Sequence, residues 1–221
     1  MTNLIKNKKF TRIMAILLVV LIAFSTMFTL PVSAASGDKV TITFDYCYDS
    51  AGNIIKFQQT TVSDGYTVGT VGEELCKIFA DGKEAYCIEP GHTLYSGNTL
   101  TESASTVWKN LGSAKQKAIN IALLYGKPGS EKSLSGTEDQ KWVATQLIVW
   151  EFVSGCRSTA DGYKCTNTKF IDGICAGGAN PGVKSVYNAI SKSLANYSIV
   201  PSFASAIASK AETLSLIHIS E

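Results

Sequence analysis

The sequence has few of the side chains that most often move protons or hold metals. It contains two histidines in 221 residues, His92 and His218. It has no Cys-x-x-Cys pair, and no histidine lies among Cys156, Cys165 and Cys175. Both absences argue against a zinc site, and no cofactor is expected. None of the local signatures of cysteine proteases occurs. Charge of either sign is scarce too: charged residues are 17% of the chain and the formal net charge is +2. Without a basic stripe or interleaved basic and aromatic residues, a nucleic-acid partner is not expected. No segment repeats and none is of low complexity.

What remains is a chain with 45% hydrophobic residues. That is enough to build the core of one globular domain, or of one domain in two lobes. The N-terminus stands apart. Lys6, Lys8, Lys9 and Arg12 precede an apolar run from Met14 to Leu30, and Val32 and Ala34 place small residues at −3 and −1 of a cleavage site. This is the layout of a secretory signal peptide over 1–34. A membrane anchor is the other reading, because the apolar run is long. Removing 1–34 takes away four basic and no acidic residues, so the formal charge falls from +2 to −2. Export is therefore the expected location, with membrane contact only through the signal peptide. At the other end, residues 214–221 (Leu-Ser-Leu-Ile-His-Ile-Ser-Glu) look like the translation of a sequencing-library adapter. On that reading His218 is not native and the closing strands of the fold are cut off. A terminal strand is the alternative, because Leu-Ser-Leu-Ile alternates weakly.

Between these ends the pattern changes once. Residues 38–48 alternate apolar and polar, as a half-buried strand does. A turn at 49–53 leads to a second expected strand, Ile54 to Val62. Short strands follow around Tyr66–Val71, Leu75–Phe79 and Glu84–Ile88. Beyond Gly97 the signals are helical. Ser103–Leu111 reads as a short helix. Ser113 with Gln116, and Thr137 with Gln140, have the spacing of capping boxes. Ala118, Ile119, Ala122 and Leu123 form an apolar stripe, and that helix stops at Gly126-Lys127-Pro128-Gly129. Trp142, Gln146, Val149, Trp150 and Val153 share one face of the next helix, which Gly155 is placed to end. A loop rich in Gly and Cys runs over 155–178. Asn180-Pro181 then opens a last helix with Val183, Val186, Tyr187, Ile190 and Leu194 inward. The expected fold is α+β. A β-rich lobe, sandwich- or barrel-like, covers about 38–97 and 198–213, and a helical lobe at about 98–197 is inserted into it.

Two stretches hold the chemistry. Tyr86-Cys87-Ile88-Glu89-Pro90-Gly91 sets a cysteine at the end of a strand, where Pro-Gly turns the chain. Gln146 sits on a helix face that is otherwise Trp and Val. A buried carboxamide without partners costs about 1–3 kcal/mol. Gln146 is therefore either a hydrogen-bonded core residue or not a free amide. The spacing alone is accounted for by the first.

Together these stretches resemble the thioester domains of Gram-positive surface adhesins. That family has an aromatic-Cys-aliphatic-acidic-x-Gly motif, matched at 86–91. Its helical Thr-Gln-x-Ala-Ile/Val-Trp motif is matched at 145–150 except for Ile148, where the family prefers alanine. Tyr125-Gly126-Lys127-Pro128-Gly129 is similar to the family's Tyr-Gly-x-Pro-Gly turn. The resemblance covers most of 38–213, so residues 35–213 would be the thioester domain. It implies that the Cys87 thiolate attacks the Gln146 carboxamide, ammonia leaves, and a thioester joins two residues 59 apart. A lysine amine on a host or other surface protein would then open it and form an isopeptide link. This is single-use covalent adhesion rather than turnover, from a protein attached to the cell wall. The main chain near Cys87 and the Thr145 hydroxyl are candidate oxyanion donors. Tyr86, Ile88 and Trp150 would wall the bond from water. Glu89 would hold the turn or orient the amine.

Two alternatives stay open. One is a secreted cysteine hydrolase or acyltransferase using Cys87 and His92; the other is a non-covalent adhesin module. Export permits disulfides. Cys156 with Cys165 is the easiest pair, although connectivity among Cys47, Cys76, Cys156, Cys165 and Cys175 is not deducible from sequence.

Overall fold

A computed structural model describes residues 39–101, 106–130 and 133–197. The expected signal peptide, the closing strands and residues 214–221 lie outside the described residues.

The alternating segment at the start becomes β1 (Lys39–Tyr46), with Val40 and Ile42 buried and their neighbours exposed. The chain continues through β2 (Thr61–Ser63), β3 (Tyr66–Gly69), β4 (Cys76–Ala80), β5 (Lys83–Ala85) and β6 (Thr99–Thr101). Among the described residues these form a four-stranded antiparallel sheet in the order β5-β4-β1-β6, and a separate β2-β3 ribbon. The sheet is open among the described residues rather than closed into a barrel. Ile42 faces Ala80 in the β1–β4 register, which fixes the buried side of both strands.

The helical part contains α1 (Thr106–Asn110), α2 (Gly112–Tyr125), α3 (Glu138–Val153), α4 (Lys169–Cys175) and α5 (Pro181–Ala195). The fold is thus α+β. Helix α3 is its centre: it packs against α2, α4, α5 and β4. Every residue from Gln140 to Phe152 is buried. The expected single inward face of α3 is therefore a buried face all round, because neighbours cover the helix on every side. The capping box at its start is formed. Gln140 N–H donates to Thr137 Oγ1 at 3.1 Å and Thr137 N–H to Gln140 Oε1 at 3.0 Å.

Several local expectations are corrected. Ile54–Val62 is not one strand. It makes isolated bridges at Ile54 and Lys56. The N–H groups of Gln58 and Gln59 then donate to the Gly173 carbonyl at 2.6 and 3.2 Å, so the segment leaves strand pairing to dock on α4. Strand β6 lies beyond Gly97 and pairs Val40 with Leu100, which extends the β part into the span assigned to helices. The loop 155–178 contains α4, whose Phe170, Ile171 and Ile174 are buried. The Ser113–Gln116 box does not form: Leu111 precedes α2, and Gln116 Nε2 donates to the Trp108 carbonyl at 2.7 Å instead. Asn180 precedes α5 as expected, but it adopts a left-handed conformation and turns its amide to the Ile174 carbonyl at 2.8 Å. The five inward residues expected on α5 are all buried.

Candidate functional site

The site forms where the chain leaves β5 and meets the middle of α3. Tyr86 is buried and stacks on Trp142 of α3, ring centres 5.4 Å apart and planes within 12°. The Trp142 indole donates to the Ala85 carbonyl at 3.2 Å. These contacts fix the strand end against the helix, so the next residue, Cys87, arrives at Gln146. The strand ends at Ala85, so Cys87 lies two residues past it rather than within the expected strand Glu84–Ile88.

Cys87 and Gln146 meet through two reciprocal hydrogen bonds. Cys87 N–H donates to Gln146 Oε1 at 2.8 Å, and Gln146 Nε2 donates to the Cys87 carbonyl at 2.8 Å. Gln146 is 1% exposed, and both ends of its amide are satisfied by one residue. The orientation of the amide follows, because a main-chain N–H needs an acceptor and a main-chain carbonyl a donor. The carboxamide oxygen is already polarised by a peptide N–H.

The Cys87 sulfur is held by the turn that follows. It contacts the Glu89 carbonyl at 3.3 Å and receives the Glu89 N–H at 3.4 Å. His92 N–H closes the turn on the Glu89 carbonyl at 3.2 Å. Glu89 therefore holds the turn through its main chain. Gly91 has φ 91°, and a Cβ there would stand 2.5 Å from Tyr66 Cβ, so only glycine fits. Burial pushes the Cys87 thiol pKa up. The Glu89 main chain and the Trp150 side chain work against this, and the Glu89 charge adds to it. Ile88, Pro90 and Trp150 are buried around the turn. The Trp150 ring lies 5.8 Å from that of Phe170 in α4. Its indole nitrogen is buried with no hydrogen-bond partner among the described residues.

Thr145 has a different task from the expected oxyanion donor. Its hydroxyl donates to the Lys141 carbonyl at 2.8 Å and accepts Lys127 N–H at 3.0 Å. It is thereby committed to the turn after α2. Neighbouring residues point to different sides of a helix, so Thr145 cannot serve the Gln146 amide from there. Tyr86 OH donates to the Lys127 carbonyl at 2.8 Å. Both main-chain groups of Lys127 are thus taken up by residues flanking Cys87 and Gln146. A Cβ on Gly126 would run into the Thr145 hydroxyl, which explains glycine in that turn. The Lys127 ammonium sits 2.8 Å from Glu84 and 3.1 Å from Glu138. Sequence reasoning missed this lysine, since it occupies the variable position of its motif and nothing local marks it.

His92 does not bond to the sulfur. Its ring packs on Tyr66, centroids 4.6 Å apart. The expected Cys156–Cys165 disulfide is absent: all six cysteines are free thiols. Arg157 and Cys165 face each other across an antiparallel bridge. Cys156 lies outside that bridge, and its carbonyl accepts the N–H groups of Thr166 and Asn167 at 2.7 and 3.2 Å. The Cys156 sulfur takes the Ser154 hydroxyl at 3.4 Å. Among the described residues no group of three or more His, Cys, Asp or Glu is placed to hold a metal. No helix among them is long and apolar enough to cross a membrane.

With this geometry in view, comparison with known proteins decides the family. The sequence model of the thioester domain matches residues 84–196, from β5 to the end of α5. The chain belongs to the thioester domain family. That span holds Cys87, the Lys127 turn and Gln146, which the fold has joined by hydrogen bonds. No curated protein matches the chain. Among solved structures, one described as the Bacillus anthracis TIE protein is similar, with 17% identity and a TM-score of 0.41. The alignment covers 75% of this chain and 25% of that one.

Proposed function

We propose that Cys87 and Gln146 form an internal thioester that captures an amine on a target surface. The observation that carries this reading is the reciprocal hydrogen-bonded pair, with the Cys87 N–H on Gln146 Oε1 at 2.8 Å. That oxygen takes the negative charge when sulfur adds to the carboxamide carbon. A donor already in place stabilises it without reorganisation. The thiol proton passes to the departing nitrogen, ammonia leaves, and the acyl–sulfur bond remains. Burial by Tyr86, Ile88 and Trp150 keeps water away.

A primary amine such as a lysine side chain then attacks the acyl carbon. Sulfur leaves and takes up a proton, and Gln146 ends in an amide to the partner. The event happens once per molecule, so the protein acts as a covalent adhesin module rather than a turnover enzyme. Export by the leader at 1–34 and display at a cell surface complete the proposal, with a host or other surface protein as partner. The hydrolase reading has less support, because the Cys87 sulfur bonds the Glu89 main chain and the His92 ring packs on Tyr66.

Intact mass tests the proposal. The wild type is expected to be lighter than its sequence by one ammonia and to gain methylamine. A wild type of full mass that ignores methylamine would overturn it.

A further inference from the structure

We propose that Trp150 is the hydrogen-bond donor that receives the negative charge on the Cys87 sulfur, both before the thioester forms and when an amine opens it. The inference rests on the Cys87–Gln146 reading and adds a residue to it.

Three observations place the donor. Trp150 follows Gln146 by one turn of α3, so its side chain leans back over the Gln146 side of the helix. The ring is pinned against Phe170. Its nitrogen is enclosed yet makes no hydrogen bond among the described residues. Buried donors rarely stay unpaired without a functional reason. The nearby sulfur supplies that reason, since the Trp150 side chain acts on the Cys87 thiol to favour its ionised form.

The sulfur needs such a donor. As a thiol it contacts the Glu89 carbonyl at 3.3 Å and takes the Glu89 N–H at 3.4 Å. Once ionised it has no proton to give, so the carbonyl contact turns unfavourable and a single N–H contact remains. An indole N–H, which donates only, completes the thiolate's shell. A thioester sulfur is a weak acceptor, so the donor is idle in the closed bond. It regains its partner as sulfur leaves, which stabilises the departing thiolate over the intact ester. Thioester formation converts a thiol and a carboxamide into a thioester and ammonia. Opening converts the thioester and an amine into a thiol and a substituted amide. The Trp150 proton stays on nitrogen throughout.

The test separates charge stabilisation from wall-building. Trp150→Phe keeps a buried aromatic ring and removes the N–H. In a Gln146→Ala background, where no thioester can form, the rate of iodoacetamide labelling at Cys87 is followed against pH by peptide mapping. The midpoint is expected about one unit higher with Trp150→Phe, the size of a lost charge-assisted hydrogen bond. With Gln146 present, methylamine opening is expected to slow about ten-fold. An unchanged midpoint in a folded variant overturns the proposal. If Trp150→Phe does not fold, the indole N–H resonance is followed in Gln146→Ala alone. A resonance that moves with Cys87 ionisation supports the donor, and one that stays fixed overturns it. Failure of the thioester itself shows separately, as a full-mass wild type.

Discussion

Helix α3 carries two buried polar constellations five residues apart, about 140° around the helix. Around Glu151 every strong group is matched. Arg157 Nε donates to Glu151 Oε2 at 2.7 Å and Tyr187 OH to Glu151 Oε1 at 2.7 Å. The other guanidinium nitrogens reach the Tyr163 carbonyl at 2.9 Å, Tyr187 Oη at 2.8 Å and Ser191 Oγ at 3.0 Å. Around Gln146 the matching is partial. The amide is satisfied, but the sulfur contacts only the Glu89 main chain and the Trp150 N–H has no partner among the described residues. The first set joins α3 to α5 through a charged pair and its hydrogen bonds. The second holds two groups in register and leaves one nucleophile and one donor uncommitted. A fully satisfied buried network rigidifies the core around it.

The contrast can be broken from either side. The largest effect is expected from Gln146→Ala: complete loss of the ammonia-deficient mass and of methylamine uptake, with Cys87 alkylatable. Because burial raises its pKa, that thiol should label with a pH midpoint above that of an ordinary free cysteine. At the other constellation Arg157→Met leaves the Glu151 carboxylate buried and unpaired. It should cost about 3–5 kcal/mol in urea unfolding, while Glu151→Leu with Arg157→Met together should recover most of that. Any folded fraction of these variants should still form the thioester.

Thr145→Val tests a link between motifs. It strands the Lys127 N–H, so stability should fall by about 1–3 kcal/mol, with thioester mass retained in the folded protein. A loss of thioester without loss of stability would return Thr145 to the chemistry. The smallest effect is expected from Lys127→Met, about 1 kcal/mol at neutral pH. Burial opposes the Lys127 charge, but Glu84 and Glu138 outweigh it and its pKa is raised. Its contribution is therefore complete below the unfolded lysine value, about 10.4, and is lost as pH rises through the higher folded value. The gap between wild type and variant in urea midpoint should narrow only above that point.

Much of the site was legible because it is written in short segments. The Thr137–Gln140 box, the Pro-Gly turn after Cys87 and an isolated amide on an apolar helix are all local patterns. The segment Ile54–Val62 was misread because its Gln58 and Gln59 N–H groups go to Gly173, more than a hundred residues away. Helix α4 was missed because its seven residues are few and sit among glycines and cysteines. A Cys156–Cys165 disulfide looked easy because the residues are close in sequence, but the Cys156 sulfur takes the Ser154 hydroxyl and the Cys165 thiol goes to the Asn167 carbonyl.

By itself the sequence determined the family motifs that hold Cys87 and Gln146 and the class of fold, since each depends on residue types at short spacing. Only the tertiary structure decided that Thr145 serves the Lys127 turn, that Gln146 docks on the Cys87 main chain, and that α3 is enclosed on every side. Those outcomes depend on which distant groups compete for the same few donors and acceptors. That competition is resolved only when the elements pack and water is gone.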